Sequence, residues 1–474
     1  MKITKIRVLF LSVPKGNAMC APMYQGEYST EALAKRYISK LDSCKTDDVE
    51  FTGKSIIRHS DELETISEQV KGDAGVLAFI LGLFPSDLQR TIISWGMPTV
   101  MVNPMESPLS TIPWLGNFCW VQGKLNVIPV LSSDFADIER KIGVLKAINK
   151  LGQTKVLHSS YHPTLKEDRP EQNKILGVLD EQVYRRLRYH GAHAFSLSDD
   201  FMKQTREMFG LDFKSISSRV LEKAYDNTAV NVAVKMAQQW IEGCEDTTGL
   251  SRQDILDSCR LYYAIKQVMG EENAQAITEL GICMGTGPYP LPCLAFAQIN
   301  NEGLAGICQI DLSSTITQLM IGYLTDQPGF VGHLHVDTAR NLIGIAHDTC
   351  PTSMGGRSGE KELYTFRDHG ALLRGTCLNV KLKEGQKVTV ATFIPFEKMM
   401  VFTGVIDHNV DPSRTCRTHA AVKVENAKRL LRSWLSESYP SGPLAHRVLF
   451  YGDWIEEVRD LGQILGFEVV DELE

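Results

Sequence analysis

The stretch GFVGHLHVDTARNLIGIAHDTCP, residues 329–351, holds three of the twelve histidines in the chain. His333, His335 and Asp337 alternate, so on a β-strand their side chains stand on one face. Two imidazoles and a carboxylate on one face suit a divalent cation, because neutral nitrogen and oxygen donors match manganese, cobalt, zinc or iron. A third imidazole, His347, lies across the turn TARN, and a slip of one residue in strand register moves it to the opposite face. The competing reading is a hairpin whose wet face is simply polar, which gives the same alternation. Spacing alone leaves both open.

Other residues with chemical potential are less specific. The run GTGPYP at 285–290 has neither the Lys-Ser/Thr ending of a phosphate loop nor full dinucleotide spacing, and reads as a tight turn. Arg357 in GGRSGE and Arg417 in TCRTH could hold an anionic or polyhydroxy substrate, although surface arginine is the commoner case. The eleven cysteines include no Cys-x-x-Cys pair. They read as reduced thiols, mostly small buried hydrophobes, and place the chain in the cytoplasm.

The elements that would position these residues follow from periodicity. RVLFLSV near the start is a buried strand, and STEALAKRYISKLDSC has helical spacing behind a Ser-Thr cap. AGVLAFILGL and MPTVMVNP are apolar runs of the kind found in buried parallel strands. FADIERKIGVLKAINKLG is a periodic helix closed by glycine, and TKVLHSS starts a new strand, so a domain boundary falls near residue 152. Helices dominate the next section, including SRQDILDSCRLYYAIKQVMG, before the strand AGICQIDL. Beyond Pro351 the texture becomes polar–apolar alternation with turn signals, which is antiparallel sheet or barrel. The tail returns to strand HRVLFYGD, helix WIEEVRDLGQILG and strand FEVVDE.

A chain of 474 residues exceeds one core. With 43% hydrophobic and 23% charged residues it has globular composition. Its net charge of −7 offers no basic stripe for nucleic acid. No apolar run approaches the roughly 18 residues of a membrane span.

Further spacings fall into a family pattern. The segment ICQIDLSSTITQLMIGYLTDQPGFVGHLHVD, then IAHDTCP, then AHRVLFYGDWIEEVRDLGQILGFEVV, resembles the L-fucose isomerase and L-arabinose isomerase superfamily. That family has a strand ending in Glu-x-Asp, an apolar helix ending in Leu-Thr-Gly-x-Pro, and a strand with a second acidic metal ligand. Leu324, Thr325 and Pro328 match the helix end, and Cys350-Pro351 follows His347. The resemblance covers the second half, and the α/β layout of the first half agrees with it.

The resemblance implies two Rossmann-like α/β domains, 1–152 and 153–350, followed by a C-terminal β-barrel-type domain over 351–474. It implies a metal-dependent aldose–ketose isomerase acting on a free sugar or sugar derivative, working as a cytoplasmic homotrimer or homohexamer. The metal ligands would be Gln309, His333, His347 and His446, with Mn2+ as the first choice of divalent ion. The chain departs from the family at both acids: Gln309 stands where a glutamate ligates, and His333 where the second acid does. Glutamine can ligate through its carbonyl oxygen but cannot act as a base. Proton transfer would fall to Asp311, His333 or His335, with Arg357 and Arg417 on the substrate. The alternatives are a metal- or sugar-binding paralogue without catalysis, and a metal-dependent epimerase or lyase acting on a polyol derivative.

Overall fold

A computed structural model describes residues 2–12, 14, 29–81, 86–104, 125–160, 199–247, 249–279, 289–357, 359–370, 372–394, 396–410, 416–435 and 446–474. Within this set the chain is mixed α/β, with parallel sheets and a closed six-strand antiparallel barrel. It divides into two compact units, the first being residues 1–153 with Glu456–Gly466 and the second the remainder.

The first unit alternates β1 (Thr4–Leu11), α1 (Thr30–Ser43), β2 (Val49–Ile57), α2 (Ser60–Ser67), β3 (Gly75–Ile80), α3 (Ser86–Ser94), β4 (Thr99–Val102), β5 (Val127–Val130) and α4 (Phe135–Leu151). The strands form one parallel sheet in the order β2-β1-β3-β4-β5. Parallel sheets covered on both faces need apolar strands, and β3 is buried along its whole length. The Ser-Thr cap is realised at Ser29, whose hydroxyl accepts from Ala32 N–H.

The second unit opens with β6 (Lys155–Ser160), α5 (Asp199–Phe209), β7 (Asp212–Ser217), α6 (Ser218–Asn227), α7 (Asn231–Glu242), α8 (Arg252–Glu271), β8 (Ala276–Glu279), α9 (Cys293–Asn301), β9 (Ala305–Cys308) and α10 (Leu312–Thr325). Its four strands form a parallel sheet in the order β7-β6-β8-β9. α8 starts in a capping box between Ser251 and Asp254. Most of the glycine-rich turn, residues 285–288, lies outside the described residues.

The barrel follows: β10 (Phe330–Asp337), β11 (Leu342–His347), the small pair β12 (Tyr364–Arg367) and β13 (Cys377–Val380), then β14 (Lys387–Ile394), β15 (Lys398–Asn409) and β16 (Thr418–Lys423). After α11 (Ala427–Leu435) come β17 (His446–Tyr451), α12 (Ile455–Leu465) and β18 (Glu468–Asp471). The ring runs β14-β17-β10-β11-β16-β15 and closes by β15 pairing with β14, while β18 adds to β15 in parallel. Closure removes the open edges that antiparallel strands otherwise expose. Two of the six strands, β10 and β11, precede residue 351.

The pairing explains which residues face inward. Leu334 opposes Ile345 and Val336 opposes Ile343, on the face that packs with Phe330, Val390, Phe402, Val422 and Leu449. His333 opposes Ala346 and His335 opposes Gly344, on the other face. Among the described residues no helix is long and apolar enough to cross a membrane. The described cysteines form no disulfide.

Candidate metal centre

Three strands bring three histidines together. β10 and β17 are antiparallel neighbours with His333 directly opposite His446, so both rings leave the sheet on the same outer face. Their Nε2 atoms are 3.4 Å apart and their ring centroids 4.2 Å. His347 has the other parity, opposing Thr418, but it is the last residue of β11. There the ladder ends, and its ring reaches within 5.3 Å of His333 and 5.2 Å of His446. One ligand atom from each of the three lies within 4.8 Å of the others. His347 and His446 are buried, and His333 is half-buried.

The spacing fits an ion. Two nitrogens each about 2.0–2.1 Å from one cation subtend about 110° when 3.4 Å apart, which is the tetrahedral angle. His347 is held neutral, its pKa pushed well below the usual value by burial and by the neighbouring His446 and His333. A neutral imidazole is the form that ligates. His347 Nδ1 accepts Asp348 N–H at 2.8 Å, so the neutral ring carries its proton on Nε2. Ligation through Nε2 would require that proton on Nδ1 instead, so the ring would give up the Asp348 N–H bond for one to Thr349 Oγ1, 3.3 Å away.

Asp311 supplies the orienting carboxylate. Its Oδ2 accepts from His446 Nδ1 at 2.9 Å, the carboxylate–histidine arrangement that fixes a ligand's tautomer and leaves Nε2 for the metal. Asp311 also caps α10, accepting from Ser314 N–H at 2.9 Å and Ser314 Oγ at 2.7 Å. Burial raises its carboxyl, but the bonds from His446 and Ser314 outweigh that and hold it below the ordinary range. A carboxylate so engaged is a poor base and a good anchor.

The strand expected over AGICQIDL stops at Cys308. Gln309 (φ 65°) and Ile310 (φ 54°) both adopt the left-handed region, which costs roughly 1–2 kcal/mol per non-glycine residue. This strained turn carries the chain from β9 to the cap position at which Asp311 meets His446. Gln309 itself is exposed, with its backbone N–H bonded to Glu279 O at 2.9 Å.

The remaining sequence-based choices sit elsewhere. His335, exposed, meets His419 rather than the three-histidine cluster, with their Nε2 atoms 2.9 Å apart. Arg417 turns its guanidinium to Asp368, Nε donating to the main-chain oxygen at 2.6 Å and Nη2 to the carboxylate. Arg357 lies on an exposed turn, its guanidinium packed against Gly303.

Sequence reasoning missed a second polar group beside the cluster. Asp348, fully buried, follows His347; its Oδ1 accepts Arg417 N–H at 2.7 Å and its Oδ2 pairs with His369 Nε2 at 3.3 Å. Burial pushes the Asp348 carboxyl up, and His369 offsets only part of that. A carboxyl with a raised pKa against a partly exposed imidazole is suited to proton transfer. Asp348 is adjacent to a histidine in sequence, but nothing in the spacing shows that His369, 21 residues on, folds back to it. Compared with known protein families and with curated proteins, the chain matches none.

Buried neutral histidines make stability depend on pH. His419 is pushed down to about 4, first by burial and then by His335 and His408. The unfolded chain therefore binds more protons between about pH 6.5 and 4, and stability is lost as pH falls through that window. His419 is 6% exposed, and its share is about 2–3 kcal/mol. Metal-free protein should show a weaker loss of unfolding free energy from pH 6.5 to 4.5 after His419→Asn. Equal slopes for the two proteins would contradict a neutral, buried His419.

Proposed function

We propose that the chain is a metal-dependent aldose–ketose isomerase of the fucose/arabinose isomerase type. It acts on a free sugar or sugar derivative as a cytoplasmic homotrimer or homohexamer. The observation that supports this most is the convergence of His333 and His347, from two consecutive strands, with His446, 113 residues after His333, and with Asp311 locked onto His446. The motif spacing that resembles the family supports the substrate class.

A divalent ion held by the three imidazoles would polarise the carbonyl and hydroxyl oxygens of an open-chain sugar. Three nitrogens with no carboxylate among them suit zinc, cobalt, nickel or iron better than Mn2+, which remains the ion implied by the resemblance. Asp311 orients His446 and stays ionised. Asp348 and His369 are the pair placed to hold and move a proton, with His333 also within the cluster and His335 on the same strand face. Gln309 would ligate only through its carbonyl oxygen.

A panel of aldoses incubated with metal-loaded protein in deuterated water tests the proposal. Ketose carrying solvent deuterium at one carbon is expected. Labelled aldose inverted at one centre would make the protein an epimerase. Saturable sugar binding without exchange would make it a binding protein, the reading favoured by the absence of both family acids at positions 309 and 333. Asp311→Asn should weaken metal binding about 10–100-fold, the usual effect of losing a ligand's outer partner. Unchanged affinity by calorimetry would remove Asp311 from the centre.

A further inference from the structure

His335 and His419 form a second imidazole pair, separate from the three-histidine cluster. They come from β10 and β16, which are not neighbours, since β11 runs between them. His335 crosses β11 over Gly344, where an added Cβ would stand 1.7 Å from His335 Cε1 and 1.9 Å from its Nε2. Only glycine lets the ring lie across that strand. On the far side the two Nε2 atoms meet at 2.9 Å, with the rings edge to face. His419 is 6% exposed and its Nδ1 has no hydrogen-bond partner among the described residues, while His335 is open to solvent.

The geometry points to a second divalent-cation site at this pair, suited to a first-row transition metal in six-coordinate or tetragonal geometry. Two nitrogens about 2.0–2.1 Å from one ion and 2.9 Å apart subtend about 90°, the angle between adjacent octahedral positions. The pair therefore favours Ni2+ or Cu2+ over a tetrahedral ion, whereas the wider His333–His446 spacing also admits a tetrahedral one. Water completes the shell on the solvent side of His335. His408 is the nearest further imidazole by register, opposite Ala421 on the neighbouring strand, and is bonded to Asp407 at 2.7 Å. With two protein ligands, and no outer partner on His419 Nδ1, this site is weaker than the three-histidine centre. The inference does not depend on the isomerase reading.

Nickel titration of the full chain tests it, by calorimetry and by elemental analysis after desalting. Native protein should show a tight and a weak binding event. His446→Ala should lose the tight event and keep the weak one. His335→Ala, His419→Asn and Gly344→Ala should each lose the weak event and keep the tight one. The His335 change sits on an exposed side chain and leaves the barrel core intact. A single event in native protein, or a weak event that survives both His335→Ala and His419→Asn, would overturn the second site.

Discussion

Under the proposed metal-centre reading, His446→Ala should abolish tight binding of a divalent ion. The substitution removes one of three imidazole ligands and leaves Asp311 without the ring it holds at 2.9 Å. Loss of an outer partner alone costs about 10–100-fold in metal affinity, so loss of the ligand itself should exceed about 100-fold. Under the proposed isomerase reading, any aldose–ketose turnover should disappear with the ion. The barrel should persist, because Leu449 and Tyr451 of β17 point to the opposite face and pack in the core. Equilibrium dialysis of native and variant protein against one metal buffer, with circular dichroism as the fold control, makes the comparison. Equal metal content in the two proteins, with the fold intact, would exclude His446 as a ligand.

The second large effect concerns the scaffold. Arg447, next in sequence to His446, points to the barrel interior, where its Nη2 donates to Glu472 Oε1 at 3.1 Å. Both side chains are buried, and Trp434 Nε1 donates to the same carboxylate oxygen at 2.5 Å. The Arg447 guanidinium also sits 5.5 Å from the Trp434 ring. Removing one partner of a buried ion pair leaves the other charge uncompensated and costs about 3–5 kcal/mol. Glu472→Ala should therefore lower the unfolding free energy by about that amount in urea. Glu472→Gln, which keeps a carbonyl acceptor for Trp434 and Arg447, should lose less. A loss below about 1 kcal/mol for the alanine variant would mean that the pair contributes no more than a surface salt bridge.

Much of the site's frame was legible in the sequence because it rests on period-2 alternation. HLHVD puts Leu334 and Val336 inward and His333 and His335 outward, as the register shows. The capped start of α1 was readable too, since capping chemistry is local. What alternation could not supply is information across strands. Strict parity puts His347 on the wrong face, and only the end of β11 lets its ring join the others. QID looked like the end of a strand, yet the left-handed backbone at Gln309 and Ile310 makes Asp311 a helix cap that reaches His446. His419 pairs with His335 only because Gly344, on the strand between them, carries no side chain. Asp348 and His369 meet across a segment that includes β12, and nothing in its spacing marks the contact. Each of these depends on long-range geometry, which one strand's pattern does not encode.

Anomalous diffraction from crystals of the full chain grown with zinc or cobalt, recorded on both sides of the metal edge, tests the central claim most directly. An anomalous peak about 2.0–2.3 Å from one nitrogen each of His333, His347 and His446 is the expected result. Strong density for an ion elsewhere, with the three rings left as they stand and no peak between them, would contradict it.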